Sequence, residues 1–150
     1  MTQQILQPAG WPRPSGYSNG IAATGQQVFV AGQVGWVNGV FPSDRLAHQV
    51  RHALENIVLV LKEAGAKPAH VTRLTWYLTS RDEYYDQLAE IGAAYRAVMG
   101  KHYPAMSVVQ VVALMEAAAK VEIEATAVIP APAEASANFA GHPSHPMSDC

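Results

Sequence analysis

The chain has 150 residues, a length that suits one domain with a sizeable core. Its 49% apolar and 15% charged content excludes disorder of the whole chain, and a net charge of -2 gives no general attraction to phosphate backbones. A single cysteine, Cys150, excludes an intramolecular disulfide, and no stretch approaches the roughly 18 apolar residues of a membrane span. The first residues, MTQQILQPAG, lack the basic start and apolar core of a signal peptide, so a soluble cytoplasmic protein is expected.

In chain order, GWPRPSGYSNG (10–20) is dense in Gly, Pro and Ser and predicts a tightly turning loop. Residues 20–39 read as two short strands around a turn at Gly25–Gln26, followed by an extended piece. In VFVAGQV both alternating sets are apolar, which predicts a strand covered on both faces. Leu46, Val50, Leu54, Ile57 and Leu61 recur at spacings of three and four and predict a helix within 42–68. Ser43 or Asp44 can cap its start, and Gly65 suits the left-handed position after its end.

HVTRLTWYLTS (70–80) alternates, with Leu74, Trp76 and Leu78 on one side, and predicts a strand. A second helix over 80–100 opens on Ser80 and Glu83, a capping-box pair. Leu88, Ile91, Tyr95 and Val98 make its stripe, and Gly100 stops it. Two more strands follow at 107–115 and 120–129, and residues 131–150 read as a Pro/Ala/Ser-rich extension of a single domain over 1–130. The order β-β-β-α-β-α-β-β predicts an α+β fold: a two-layer sandwich of a mixed six-stranded sheet with two helices on one face.

Two helices cover one sheet face only. Yet Val109, Val111 and Ala113 alternate with Val108, Val112 and Leu114, so a monomer would expose apolar surface. Self-association around a symmetry axis covers such a face; a folded-back tail is the alternative. The last strand places Val121, Ile123, Ala125 and Ala127 on one side and Lys120, Glu122, Glu124 and Thr126 on the other. A carboxyl partly buried there can be tuned as a general acid or base. Equally, Glu122 or Glu124 can pair with Lys120 or Arg73 on the same surface.

The segments GYSNG, VFVAGQVGW, QVRHALENIVLVLKEAGAKPAHVTRLTWYLT, YPAMSVVQVVAL and KVEIEATAVIP occur in the order of the YjgF-like, or Rid (reactive intermediate deaminase), family, which the chain resembles over roughly 10–130. The resemblance implies a chorismate-mutase-like fold, a homotrimer, ligand clefts between subunits, and hydrolysis of enamines or imines such as 2-aminoacrylate with no cofactor. In that pattern Tyr17 matches the entry-loop tyrosine, Gly32 and Gln33 match a strand Gly-Gln, and Glu122 matches a glutamate that positions water. Met106 stands where the family's carboxylate-gripping arginine is expected, and a family asparagine of the second helix is replaced near Gly92. A thioether has no donor and no charge, but it can line an adaptable apolar pocket. A ligand larger or less charged than 2-aminoacrylate is therefore expected, with Trp11, Trp36 and Tyr103 as further cleft residues.

Two other readings stay open. One is a non-catalytic trimer that binds a small molecule; the other is an endoribonuclease, which the acidic balance and the lack of an Arg/Lys-rich stripe argue against. His142 and His145 lie between prolines without a carboxylate or thiol partner. His48 and His52 sit one turn apart on the first helix, and a solvated helix face explains them. Nothing near Cys150 would lower its pKa. No metal and no membrane partner are expected.

Overall fold

The computed structural model describes residues 3–132; His142, His145, Cys150 and nearly all of the C-terminal extension lie outside the described residues. Among the described residues six strands form: β1 (Gln3–Leu6), β2 (Gly20–Ala23), β3 (Gln26–Val34), β4 (Val71–Leu78), β5 (Ala105–Gln110) and β6 (Val121–Ile129). Among the same residues three α-helices form, α1 (Leu46–Glu63), α2 (Arg81–Asp86) and α3 (Leu88–Met99), with a short 3-10 turn at Pro68–His70. The fold is α+β, but the strands divide into a mixed four-stranded sheet, β3-β6-β4-β5, and a separate two-stranded ribbon, β1-β2. In the main sheet β6 runs antiparallel to both β3 and β4, and β4 pairs with β5 in parallel.

Helix α1 packs its predicted stripe against the sheet. Val50, Leu54, Ile57 and Leu61 are fully buried, together with Leu74 of β4 and Val121 and Ile123 of β6. Burial of each such side chain contributes about 1.5–3 kcal/mol. The helix ends as its sequence predicts. Gly65 adopts φ 73°, its N–H donates to Lys62 O, and the Ala66 N–H reaches Leu61 O, an arrangement that satisfies two terminal carbonyls.

The start of α1 departs from expectation. Neither Ser43 nor Asp44 caps it; the N-cap position is Arg45, without a side-chain cap. The orphan N–H of Ala47 instead donates to Gln87 Oε1 at 2.9 Å. Gln87 can reach it because the expected helix over 80–100 breaks there into α2 and α3. The capping box is also half formed. Ser80 Oγ accepts from Glu83 N–H, but the Glu83 carboxylate turns to Lys120 Nζ at 2.7 Å.

The strand expected over 107–115 ends at Gln110. The Val111 N–H makes one last bond to Leu78 O, and the chain then leaves the sheet. The buried Gln49 side chain holds that exit. Its amide donates to Ser43 O and Ala118 O at 3.1 and 3.0 Å, and its oxygen accepts from Lys120 N at 2.8 Å. Val112 and Met115 therefore stand fully exposed on the β5–β6 loop rather than on the sheet.

Gln49→Leu is expected to lower stability by about 3 kcal/mol, because it removes one side chain and leaves three backbone groups without partners. Urea unfolding should show a lower midpoint with an unchanged slope. A midpoint equal to the parent's would contradict the role of this tie.

Candidate functional site

Register fixes which face each site residue occupies. Leu74 pairs with Met106 and Ala125, so Met106 lies on the helix-covered side of the sheet. Tyr77 pairs with Glu122 and Val109. Leu74 and Tyr77 are three residues apart on one strand, so their rows point to opposite faces. Glu122 thus lies on the uncovered face, away from Met106.

On the covered side, a cavity of about 700 Å³ opens where α2 and α3 diverge from the free edge at β5. Met106, Tyr103 and Tyr17 all line it. The entry loop is pinned there by Ser18, whose Oγ donates to Tyr103 O at 2.6 Å and whose N–H donates to Pro104 O at 3.0 Å. This brings Tyr17 beside the start of β5. Tyr103 stacks on Tyr95 with centroids 5.6 Å apart, and Tyr95 in turn lies 6.4 Å from Trp76. Burial first, then the neighbouring Tyr103, pushes the Tyr95 phenol well above its ordinary value, so it stays protonated and donates to His102 O. The Trp76 indole N–H is buried with no acceptor among the described residues.

On the uncovered face, β3 carries a one-residue bulge. Val30 pairs with Ala125 and Gln33 with Ile123, so Ala31 and Gly32 together oppose one residue of β6. Gln33 spans the bulge with a bond from its amide to Ala31 O at 3.1 Å. A Cβ on Gly32 would stand 2.7 Å from Glu122 Cδ, so the missing side chain is what makes room for that carboxylate. Glu122 accepts no hydrogen bond and joins no ion pair among the described residues, which removes the expected pairing with Lys120 or Arg73. Its neighbour Glu124 accepts from Tyr77 Oη at 2.8 Å, and this bond is the main cause of an upward shift of the Tyr77 phenol.

The face is also less apolar than predicted. Phe29 and Val109 are exposed on it, but Glu122, Glu124, Thr75 and Thr126 stand between them. Likewise, Phe29 at 72% exposure shows that, among the described residues, β3 is covered on one side only.

The other expected residues do not join the cavity. Trp36 lies beyond β3, against Phe41 with centroids 5.8 Å apart, and its carbonyl accepts from the Asn56 amide at 2.8 Å. Trp11 is exposed in the entry loop. His48 pairs with Ser43 Oγ, and among the described residues no group of three or more His, Cys, Asp or Glu is arranged to hold a metal ion.

A family model described as endoribonuclease L-PSP matches residues 12–129. The chain belongs to this family, the YjgF/Rid proteins. Among curated Rid relatives, it is 32% identical over 139 residues to the RutC family protein slr0709 of Synechocystis sp., covering 87% of this chain and 99% of that one. It is 32% identical over 110 residues to the 2-iminobutanoate/2-iminopropanoate deaminase of Escherichia coli, covering 69% and 80%. Among solved structures, the Rid protein YyfB from Yersinia pestis superposes with a TM-score of 0.74 at 34% identity, covering 86% of this chain and 100% of that one. Escherichia coli TdcF with bound serine gives a TM-score of 0.60 at 30% identity, covering 84% and 98%. Among the described residues, no helix of this Rid protein is long and apolar enough to cross a membrane.

Sequence reasoning missed the residues that α2 and α3 bring to the cavity, above all Arg96 and Tyr84. A signal was available in Gly92, a helix-interior glycine four residues before Arg96.

Gly32→Ala is expected to cost less than about 0.5 kcal/mol, because the atoms it meets are the end of a flexible side chain. It should shift the ¹³C carboxyl resonance of Glu122. A large loss of stability with an unmoved resonance would contradict the placement of that carboxylate.

Proposed function

We propose that this protein is a cofactor-free hydrolase of an enamine or imine, acting at clefts between the subunits of a homotrimer. The observation that carries the reading is the Glu122 carboxylate, free of partners among the described residues and seated over the Gly32 bulge. Such a group can accept a hydrogen bond from water and take its proton. The relatives named as deaminases supply the reaction class.

The mechanism follows from those residues. Water adds to the C=N carbon as its proton passes to Glu122. The carboxyl returns that proton to the nitrogen, giving a carbinolamine. It then takes the carbinolamine O–H proton and delivers it to the amino nitrogen as the C–N bond breaks, so that ammonia leaves and a carbonyl product remains. Backbone groups freed at the bulge can receive the developing charge.

One protomer holds Glu122 and the Met106 cavity on opposite faces of its sheet, so a second copy is needed to bring a Glu122 to a cavity. Partly apolar, unpartnered residues such as Phe29 and Val109 on the open face support that assembly. Met106 at the position of the expected arginine points away from 2-aminoacrylate and toward a larger substrate.

Imines made in situ by an L-amino-acid oxidase provide the test. The parent should accelerate hydrolysis of the imine from phenylalanine, and Glu122→Gln should lose on the order of 10²-fold. Met106→Arg should gain activity on 2-aminoacrylate. No acceleration over buffer with either aliphatic or aromatic imines would overturn the hydrolase reading and leave a trimer that only binds.

A further inference from the structure

We infer that Arg96 is the anion anchor of the cavity, and that the cavity takes a carboxylate with an aromatic or branched apolar body. The inference rests on the reading that this cavity is the ligand site, and it names the substrate class.

The charges come first. Arg81 and Arg96 both line the cavity, and among the described residues no Asp or Glu does. Neither arginine enters an ion pair among the described residues, whereas Arg45 and Arg51 pair with Glu90 and Glu55. A cavity with two cationic forks and no counterion selects an anion.

Geometry separates Arg96 from Arg81. Gly92 lies four residues earlier on α3, so the two share one helix face. A Cβ built on Gly92 would meet a single neighbour, Arg96 Nη1, at 3.3 Å. The guanidinium therefore folds back over Gly92 and lies along the cavity wall. Glycine weakens a helix interior, and here its return is the space in which that fork sits. The helix side chain that the family resemblance leads one to expect near Gly92 is absent, and the Arg96 guanidinium occupies its place. Arg81 has no comparable seat; its backbone N–H is held by Gln110 Oε1 at 2.7 Å, and its side chain makes no bond among the described residues.

The rest of the wall defines the ligand's body. Tyr103, Tyr95 and Trp76 form a continuous aromatic series, and Met106 supplies a soft, adaptable surface beside it. A volume of about 700 Å³ falls within the range of sites for drug-sized ligands, roughly 300–1,000 Å³, and would leave a three-carbon acid largely surrounded by water. The carboxylate grip has thus moved from the strand to α3, and the space given up by an arginine at position 106 is open to a ring.

Phenylpyruvate is the probe, titrated calorimetrically into the full chain, with its neutral methyl ester as comparison. The parent should bind phenylpyruvate more tightly than pyruvate. Arg96→Gln should lose on the order of tenfold or more for phenylpyruvate and little for the ester, with Arg96→Lys intermediate. Arg51→Gln, which lies outside the cavity, should bind as the parent does. Equal loss for acid and ester would mark a structural defect and overturn the anchor, as would unchanged affinity in Arg96→Gln or no binding to the parent. Arg96-dependent binding without imine hydrolysis would sink the hydrolase reading and keep the anchor. Imine hydrolysis indifferent to Arg96 would do the reverse.

Discussion

A β-sheet has two faces, and here helices α1 and α3 lie on only one of them. Everything proposed for the site depends on that asymmetry. The covered face builds the core from Leu74, Trp76, Ile123 and the α1 stripe. The uncovered face carries Glu122, Glu124 and Tyr77 among exposed Phe29 and Val109. Strand alternation then forbids one chain from presenting Met106 and Glu122 to the same small molecule. The proposed chemistry is thus divided between two faces, and the proposed assembly is the means of reuniting them.

Two glycines set the polar groups of each half. Gly32 lets the Glu122 carboxylate lie against the β3 bulge, and Gly92 lets the Arg96 guanidinium lie against α3. In both cases the missing Cβ leaves room for the functional end of another side chain. A carboxylate without partners among the described residues is exposed to desolvation when a second surface covers it, and water or substrate must then satisfy it. An unpaired guanidinium beside stacked aromatic rings suits a ligand that is flat and anionic. In the proposed site the two halves are complementary: one would handle a proton, the other would hold the substrate.

Local signals in the sequence were enough for α1, its Gly65 terminus and β4, because periodicity and a left-handed glycine act within a few residues. The break at Gln87 was not legible, since its return is a bond to Ala47, forty residues away. The early end of β5 likewise depends on Gln49, whose partners lie on the far side of the β5–β6 loop. Met106, Tyr103 and Tyr17 line one cavity, whereas Glu122 lies against Gly32 on the other face of the sheet, a separation that only the strand register reveals. Trp36 packs on Phe41 and does not line this chain's cavity, and an aromatic in a loop carries no periodicity by which the sequence could place it. Arg96 was overlooked because an exposed helix arginine looks like any solvated residue until its neighbour one turn back is found to be glycine.

The central claim is that each working site takes its cavity from one chain and its Glu122 from another. Co-assembly of two inactive variants tests it most directly, with Glu122→Gln disabling the carboxylate half and Met106→Trp filling the cavity half. Refolded together in equal amounts, they should regain about a quarter of the parent's imine-hydrolysis rate, because random mixing pairs an intact cavity with an intact Glu122 in that share of sites. A mixture no more active than its two components assayed separately would contradict the claim.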